Sequence, residues 1–299
     1  MVEPAKTSLR WAFAGCKPQG VQVLSALCEA GLRPEFCAAP PELSPEDDAA
    51  LLELVRREGL ELHRSLRLDG FQARLAALDL LMTCRFEILP SDVFEAPRLG
   101  GINIHSSLLP RYRGVHPVSW ALVNGEAETG ITIHRIAKGV DTGDILAQRA
   151  VAIADQDDLW SLTAKLNAAS VQEAVRLLRQ VAGTGVLPPA IEQSGPASYA
   201  PRRTPKQSRI SWSASAREIA NLVRALPPPL PLAFCTGPGG DVVTLRCARL
   251  VFGVAQEGKL RAGEVLSASD DGEVHIMCAD GNILSAVPSM PLCPGDVLR

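Results

Sequence analysis

The strongest constraint on the fold is an alternation in the first half of the chain, where short apolar runs are separated by stretches of helical spacing. Leu9 to Ala14 (LRWAFA) is apolar and ends at Gly15, as suits a buried strand turning into a helix. Val21, Leu24, Leu27 and Cys28 then recur at helical spacing as far as Gly31, a glycine of the kind that ends helices. Phe36 to Ala39 reads as a second strand. Ser44 is placed to cap a helix with Pro45 at its first position and Asp47 at its third; Leu51, Leu52 and Val55 form its inner face and Gly59 ends it. Leu78 to Met82 and Gly101 to His105 continue the series. Strand, helix, strand, helix, strand in this order predicts an α/β fold with a Rossmann-like, mostly parallel sheet and helices on its faces. Where a dinucleotide-binding glycine motif would follow the first strand the chain has Gly15-Cys16-Lys17-Pro18-Gln19-Gly20, so the usual NAD site is not supported.

A long amphipathic helix is predicted over Asp158 to Ala182, with Leu159, Leu162, Leu166, Val175 and Leu178 on one face. From Gly183 to Arg209 the chain is rich in Gly, Pro, Ser and basic residues, the composition of a linker. The expected division is a catalytic domain over 1–194, a linker over 195–209 and a second domain over 210–299. That second domain opens with a capping box at Ser215 and Glu218 and a helix stopped by prolines 227 to 229. Short β-type segments follow (Val242 to Leu245, Arg249 to Phe252, Glu264 to Ser267, Val274 to Cys278, Ile283 to Val287), a spacing that predicts a small barrel.

A chain of 299 residues buries roughly three quarters of its unfolded surface and needs neither disulfides nor metal to fold. Its eight cysteines form no C-x-x-C pair and have no histidine at ligand spacing, which fits reduced thiols in the cytoplasm and no metal site. No run of uncharged apolar residues is long enough for a membrane span, and Met1 to Leu9 does not read as a signal peptide. With 30 basic and 33 acidic residues the net charge is −3, which gives no general attraction to nucleic acid.

Chemically capable side chains are densest between Gly100 and Gly114. Asn103 and His105 leave the same face of a predicted strand, at the end where ligands bind in open α/β sheets. Gly139-Val140-Asp141-Thr142-Gly143-Asp144 follows another strand-like run, Thr132 to Ile136, and brings carboxylates toward the same rim. Asn, His and Asp together suit acyl-type transfer without a covalent intermediate: the amide donates to an oxyanion, the imidazole handles a proton, and the carboxylate orients the imidazole. His63, His116, His134 and His275 read as structural hydrogen-bonding residues, and Asp144 as a turn cap.

The run Asn103-Ile104-His105-Ser106-Ser107-Leu108-Leu109-Pro110-x-Tyr112-Arg113-Gly114, followed by Pro117, Trp120, Asn124-Gly125-Glu126, Glu128-Thr129-Gly130-Ile131-Thr132 and Asp141-Thr142-Gly143-Asp144-Ile145, resembles the folate-dependent formyltransferase family. Arg202-Arg203-Thr204-Pro205, Ser208, Ile210 and Trp212, then Val223-Arg224-Ala225, resemble the junction and C-terminal domain of its methionyl-tRNA formyltransferase branch and of the bacterial aminoarabinose enzyme's formyltransferase half. The resemblance implies Asn103, His105 and Asp141 as a catalytic trio, with protonated His105 and Asn103 on the oxyanion. It implies an OB-like barrel; such a domain need not read RNA, and packing or dimerisation is the role expected of it here. It also implies N10-formyltetrahydrofolate as the formyl donor, bound along backbone by Arg85, Phe86, Ile88 and Leu89 and by Val140, Gly143 and Asp144.

Members that act on tRNA carry a basic insertion after the second strand. This chain has Glu42, Glu46, Asp47 and Asp48 there, which would repel a phosphate backbone. The run Arg111-Tyr112-Arg113-Gly114-Val115-His116-Pro117 resembles the sugar N-formyltransferases, so the expected acceptor is a small amine, above all a nucleotide-linked amino sugar. Lys17, Ser107, Arg111, Tyr112 and Arg113 are its candidate binding residues, with Arg111 and Lys17 suited to a diphosphate or carboxylate and Tyr112 or Trp120 to stacking. The alternatives are methionyl-tRNA, a hydroxyornithine-like amine, and a non-catalytic folate- or nucleotide-binding protein.

Overall fold

The structure is a computed structural model and describes residues 9–251 and 261–299. The chain divides into two compact units. The first holds 9–114, 129–152 and 164–199; the second holds 115–128, 153–163 and the described residues from Ala200 on. The chain changes unit within the stretch expected as a linker, and α5 (Pro117–Val123) belongs to the second unit.

In the first unit, β1 (Trp11–Gly15), α1 (Lys17–Glu29), β2 (Phe36–Ala39), α2 (Pro45–Glu58), β3 (Leu62–Arg64), α3 (Gln72–Ala76), β4 (Leu80–Cys84), α4 (Ser91–Phe94), β5 (Gly101–His105) and β6 (Arg113–Gly114) follow in order. After α5 come β7 (Glu128–Arg135), β8 (Ile145–Ala152), α6 (Leu159–Thr184) and β9 (Tyr199–Ala200). Seven strands form one sheet in the order β3-β2-β1-β4-β5-β7-β8. The pairs from β3 to β5 are parallel and β5–β7 is antiparallel, so the mostly parallel sheet is present with β7 reversed. Ala12, Ala14, Phe36, Ala38 and Leu81 share a core with Leu89, and every residue of β1, β2 and β4 is buried, so both faces are covered and these strands read as continuous apolar runs. Ser44 accepts from the Asp47 N–H at 3.2 Å and Gly59 ends α2 at φ 59°.

The strand order reverses between β1 and β4, and such a switch point opens a crevice at the carboxyl ends of the strands. There a Cβ on Gly15 would lie 2.8 Å from the Cys84 carbonyl oxygen, so only glycine lets the two strand ends close up.

In the second unit, α7 (Ala216–Arg224) begins with the expected capping box: Ser215 N–H donates to Glu218 Oε2 at 2.8 Å and Glu218 N–H donates to Ser215 Oγ at 3.2 Å. β10 (Ala233–Thr236), β11 (Val242–Val251), β12 (Val265–Ala268), β13 (Val274–Met277) and β14 (Ile283–Pro288) form an antiparallel sheet in the order β10-β11-β14-β13-β12. The two segments expected at Val242 and Arg249 are one strand, irregular between Leu245 and Ala248, and Phe252 lies outside the described residues. Its edges are joined by one segment: Thr236 and Arg299 exchange backbone hydrogen bonds, while Leu298 N–H donates to Gly263 and Val265 N–H to Asp296. Trp120 of α5 donates to the Pro201 carbonyl at 2.8 Å and carries the Arg203 guanidinium over its ring. Among the described residues no helix is long and apolar enough to cross a membrane.

Candidate active site

Three neighbouring strands set a polar row across the sheet. The registers place Thr83 of β4 beside Asn103 of β5, and Asn103 beside His134 of β7. Thr83 Oγ1 donates to Asn103 Oδ1 at 2.8 Å, and Asn103 Nδ2 donates to His134 Nε2 at 3.1 Å. His134 Nδ1 faces the Arg135 carbonyl at 2.8 Å, a partner that only accepts, so the ring carries a hydrogen on Nδ1; Nε2 accepts from Asn103 in the neutral ring and donates to Asp141 in the protonated one. The amide of Asn103 is thereby held at both ends, with its second N–H left to donate elsewhere.

His105, one row further along β5, is buried to 7% exposure. Its Nε2 donates to the Tyr112 carbonyl at 2.9 Å, and Nδ1 faces Asp141 Oδ2 at 3.4 Å. The other carboxylate oxygen, Oδ1, lies 3.5 Å from His134 Nε2, and Oδ2 also accepts from the Gly114 N–H at 2.8 Å. Asp141 therefore sits between two imidazoles. Burial pushes its carboxyl up, but His134, His105 and the Gly114 N–H together hold it below its ordinary value. Burial is also the largest effect on His105 and holds it below its ordinary 6.5, with Asp141 as the main opposing influence.

Strained backbone collects at this end of the sheet. Lys17, Arg85, Tyr112 and Asp141 adopt left-handed φ angles of 59°, 57°, 59° and 53°, a conformation costing non-glycine residues about 1 kcal/mol or more each. Such outliers persist where surrounding bonds over-determine them, and here they follow β1, β4, β5 and β7. Cys84 ends β4 in full burial, which pushes its thiol up to about 12, so it offers no thiolate at neutral pH. Among the described residues no three His, Cys, Asp or Glu are grouped to hold a metal ion.

Asn103, His105 and Asp141 come together. His134, read from sequence as structural, stands with them in contact with Asp141, and Thr83 was hidden inside an apolar run. The residues expected at the folate divide by exposure: Arg85, Ile88 and Val140 face solvent, Phe86 and Asp144 are half-buried, and Leu89 packs in the core with Val93 and Phe94. A Cβ on Gly143 would lie 1.9 Å from the Arg135 carbonyl oxygen. Among the residues expected at the acceptor, Lys17 and Arg111 are exposed. Ser107 is fully buried and donates to the Arg111 carbonyl at 2.7 Å, so its hydroxyl stiffens the turn after β5 rather than facing outward. Arg111 lies over the Tyr112 ring, and the Arg113 guanidinium donates to Gln193 Oε1 at 2.7 Å.

Known proteins align with both halves. The family profile described as formyl transferase matches residues 51–178, and that of the formyl transferase C-terminal domain matches 202–286. The methionyl-tRNA formyltransferase of Thiobacillus denitrificans is 33% identical over 286 residues, covering 92% of this chain and 90% of its own. Two solved structures share the fold at 18% identity and TM-score 0.71. WlaRD, a sugar 3N-formyl transferase with dTDP and 5-N-formyl-THF, covers 95% of this chain and 99% of its own. The N-formyltransferase of Helicobacter canadensis, with folinic acid and dTDP-3-aminofucose, covers 94% and 99%.

Proposed function

We propose that this chain, which belongs to the formyl transferase family and is a folate-dependent formyltransferase, moves the formyl group of N10-formyltetrahydrofolate to the primary amine of a nucleotide-linked amino sugar in the cytoplasm. The convergence of Asn103, His105 and Asp141 carries the reading of the chemistry. The folate supplies a formyl group on nitrogen, ready to accept a nucleophile. Exposed Ile88 and Val140 offer apolar surface for its ring system. We read the second unit, with its antiparallel strands joined edge to edge by residues 296–299, as OB-like.

As the amine adds to the formyl carbon, Asn103 donates its second Nδ2–H to the oxygen gaining charge. Thr83 and His134 keep that amide aimed, so little reorganisation is needed at the moment of reaction. The expected role of protonated His105 changes with the geometry. Its Nε2–H is committed to the Tyr112 carbonyl and burial favours the neutral ring, so Nδ1 is a lone pair beside a carboxylate. Such a pair takes up the proton released by the attacking amine, holds it between Nδ1 and Oδ2, and returns it to N10 of the folate as the C–N10 bond breaks, the formyl carbonyl reforms and tetrahydrofolate leaves.

For the acceptor, the acidic stretch after β2 supports a small molecule. Glu42 and Glu46 are exposed there; Glu46, Asp47 and Asp48 also complement the positive end of α2, and Asp48 pairs with Arg64, so part of this acidity serves the helix itself. The ligands of the two sugar enzymes with this fold point the same way. Methionyl-tRNA is the second reading, favoured by the 33% identity to an enzyme of that name. A panel of dTDP- and UDP-linked amino sugars, free amines and methionyl initiator tRNA, given with the donor and followed by product mass, decides between them. The expected outcome is formylation of a nucleotide-linked amino sugar, with tRNA at least about 100-fold poorer in kcat/KM, a difference of about 2.7 kcal/mol in transition-state binding. Formylation of the tRNA alone would overturn the proposed acceptor.

A further inference from the structure

Gln193 lies in the glycine- and proline-rich stretch that composition marks as a linker, yet its side chain reaches the Asp141 loop. Backbone pairing brings it there: Ile191 and Ile145 exchange hydrogen bonds at 2.8 and 2.9 Å, so residues 191–193 lie alongside the start of β8, just beyond that loop. Gln193 Nε2 donates to the Asp141 carbonyl at 2.8 Å and to the Gly143 carbonyl at 2.7 Å. Its Oε1 accepts from Arg113 Nε at 3.2 Å and Nη2 at 2.7 Å. Carbonyls only accept and a guanidinium only donates, so the amide can face just one way. All four of its hydrogen-bonding positions are used.

The partners are as telling as the bonds. Arg113 lies between Tyr112, whose carbonyl holds His105, and Gly114, whose N–H holds Asp141. Further along the same segment Ser198 accepts from the Tyr112 and Arg113 N–H groups, both at 2.9 Å. One stretch of chain thus fixes both loops that set the distance between His105 and Asp141. That distance matters because the carboxylate opposes the effect of burial on the imidazole.

We propose that Gln193 is a positioning residue for the formyl transfer, locking the Asp141 loop against the Tyr112–Gly114 turn so that the carboxylate stays beside His105. The proposal rests on the reaction proposed above, and its first readout is independent of any acceptor. Gln193→Ala removes all four bonds; Gln193→Glu keeps an acceptor for Arg113 but loses both donations to the loop. In both variants the His105 imidazole, followed by NMR with His105→Gln as the assignment control, should titrate at lower pH than in the wild type, because Asp141 no longer stays beside it. With an acceptor, kcat should fall about 30-fold in both, with KM for the donor within about twofold, as expected for misplacement of a group used in the chemical step. Glu192→Ala, an exposed neighbour, should leave both readouts unchanged. If Gln193→Ala fails to fold, Gln193→Glu decides alone. An unchanged His105 titration with kcat within twofold of wild type overturns the role of Gln193; a wild-type protein that transfers formyl to no amine overturns the reaction instead.

Discussion

Asp141→Asn should lower kcat for formyl transfer by about a thousandfold while leaving the protein folded. The amide keeps the size of the carboxylate and an oxygen for the Gly114 N–H, so the loop has no steric reason to move. What disappears is the negative charge between two imidazoles. Without it burial acts on His105 with less opposition, and the imidazole loses the carboxylate that shares the proton from the amine. His105→Ala should cost a similar factor, and the double variant little more, because the two groups act as one proton acceptor.

The pH dependence carries a definite sign. The working form of His105 is the neutral ring, and its pKa lies below the ordinary 6.5. The rate should therefore hold steady from neutral pH down to about 6.5 and fall as pH drops through the lowered value. In Asp141→Asn the plateau drops and its acid limb moves to still lower pH. A limb that moves upward would mean that Asp141 does not favour the charged form of His105.

The second large effect is expected at Gly143. A Cβ there would lie 1.9 Å from the Arg135 carbonyl oxygen and 2.7 Å from its carbon, both backbone atoms that no rotamer change can clear. Arg135 N–H donates to the Asp144 carbonyl at 2.9 Å, so the collision falls on a hydrogen-bonded crossing between the end of β7 and the Asp141 loop. Gly143→Ala should cost about 3 kcal/mol, which lowers the melting temperature by roughly 6–12 °C. Because the crossing sets the position of Asp141, kcat should fall by about 100-fold in the protein that remains folded. Gly183→Ala, on α6 with nothing within 4 Å of the added methyl, should leave both unchanged or raise stability slightly. Wild-type stability and activity in Gly143→Ala would show that the two backbones separate without cost.

These two sites also show what the sequence makes legible. Ser44, Pro45, Gly59, Ser215 and Glu218 act within a few residues of themselves, and each did what its type and spacing predict. Asn103 and His105 were readable because two-residue spacing on one strand puts both on one face. His134 was not, since its place beside Asn103 depends on the antiparallel pairing of β5 with β7, a register set by chain far from either residue. Thr83 sits among Leu81, Met82 and Cys84, where a single hydroxyl does not interrupt an apolar run. β8 is buried at its start and mostly exposed from Gln148 on, so it showed neither a continuous nor an alternating pattern. Gln193 was obscured by composition: glycine and proline around it mark irregular backbone, and irregular backbone reads as linker even where it is tied down by hydrogen bonds.

Direct transfer at Asn103, His105 and Asp141 can be followed in one turnover. Enzyme in excess over donor labelled in the formyl carbon is mixed with the amino-sugar acceptor, quenched at intervals and separated into protein, folate and product. Label should pass from folate to amine in a single phase with none on protein, and Asn103→Ala should slow that phase by about 100-fold or more through loss of the oxyanion donor. Label held on the protein before it reaches the amine, or a phase unchanged in Asn103→Ala, would contradict the mechanism.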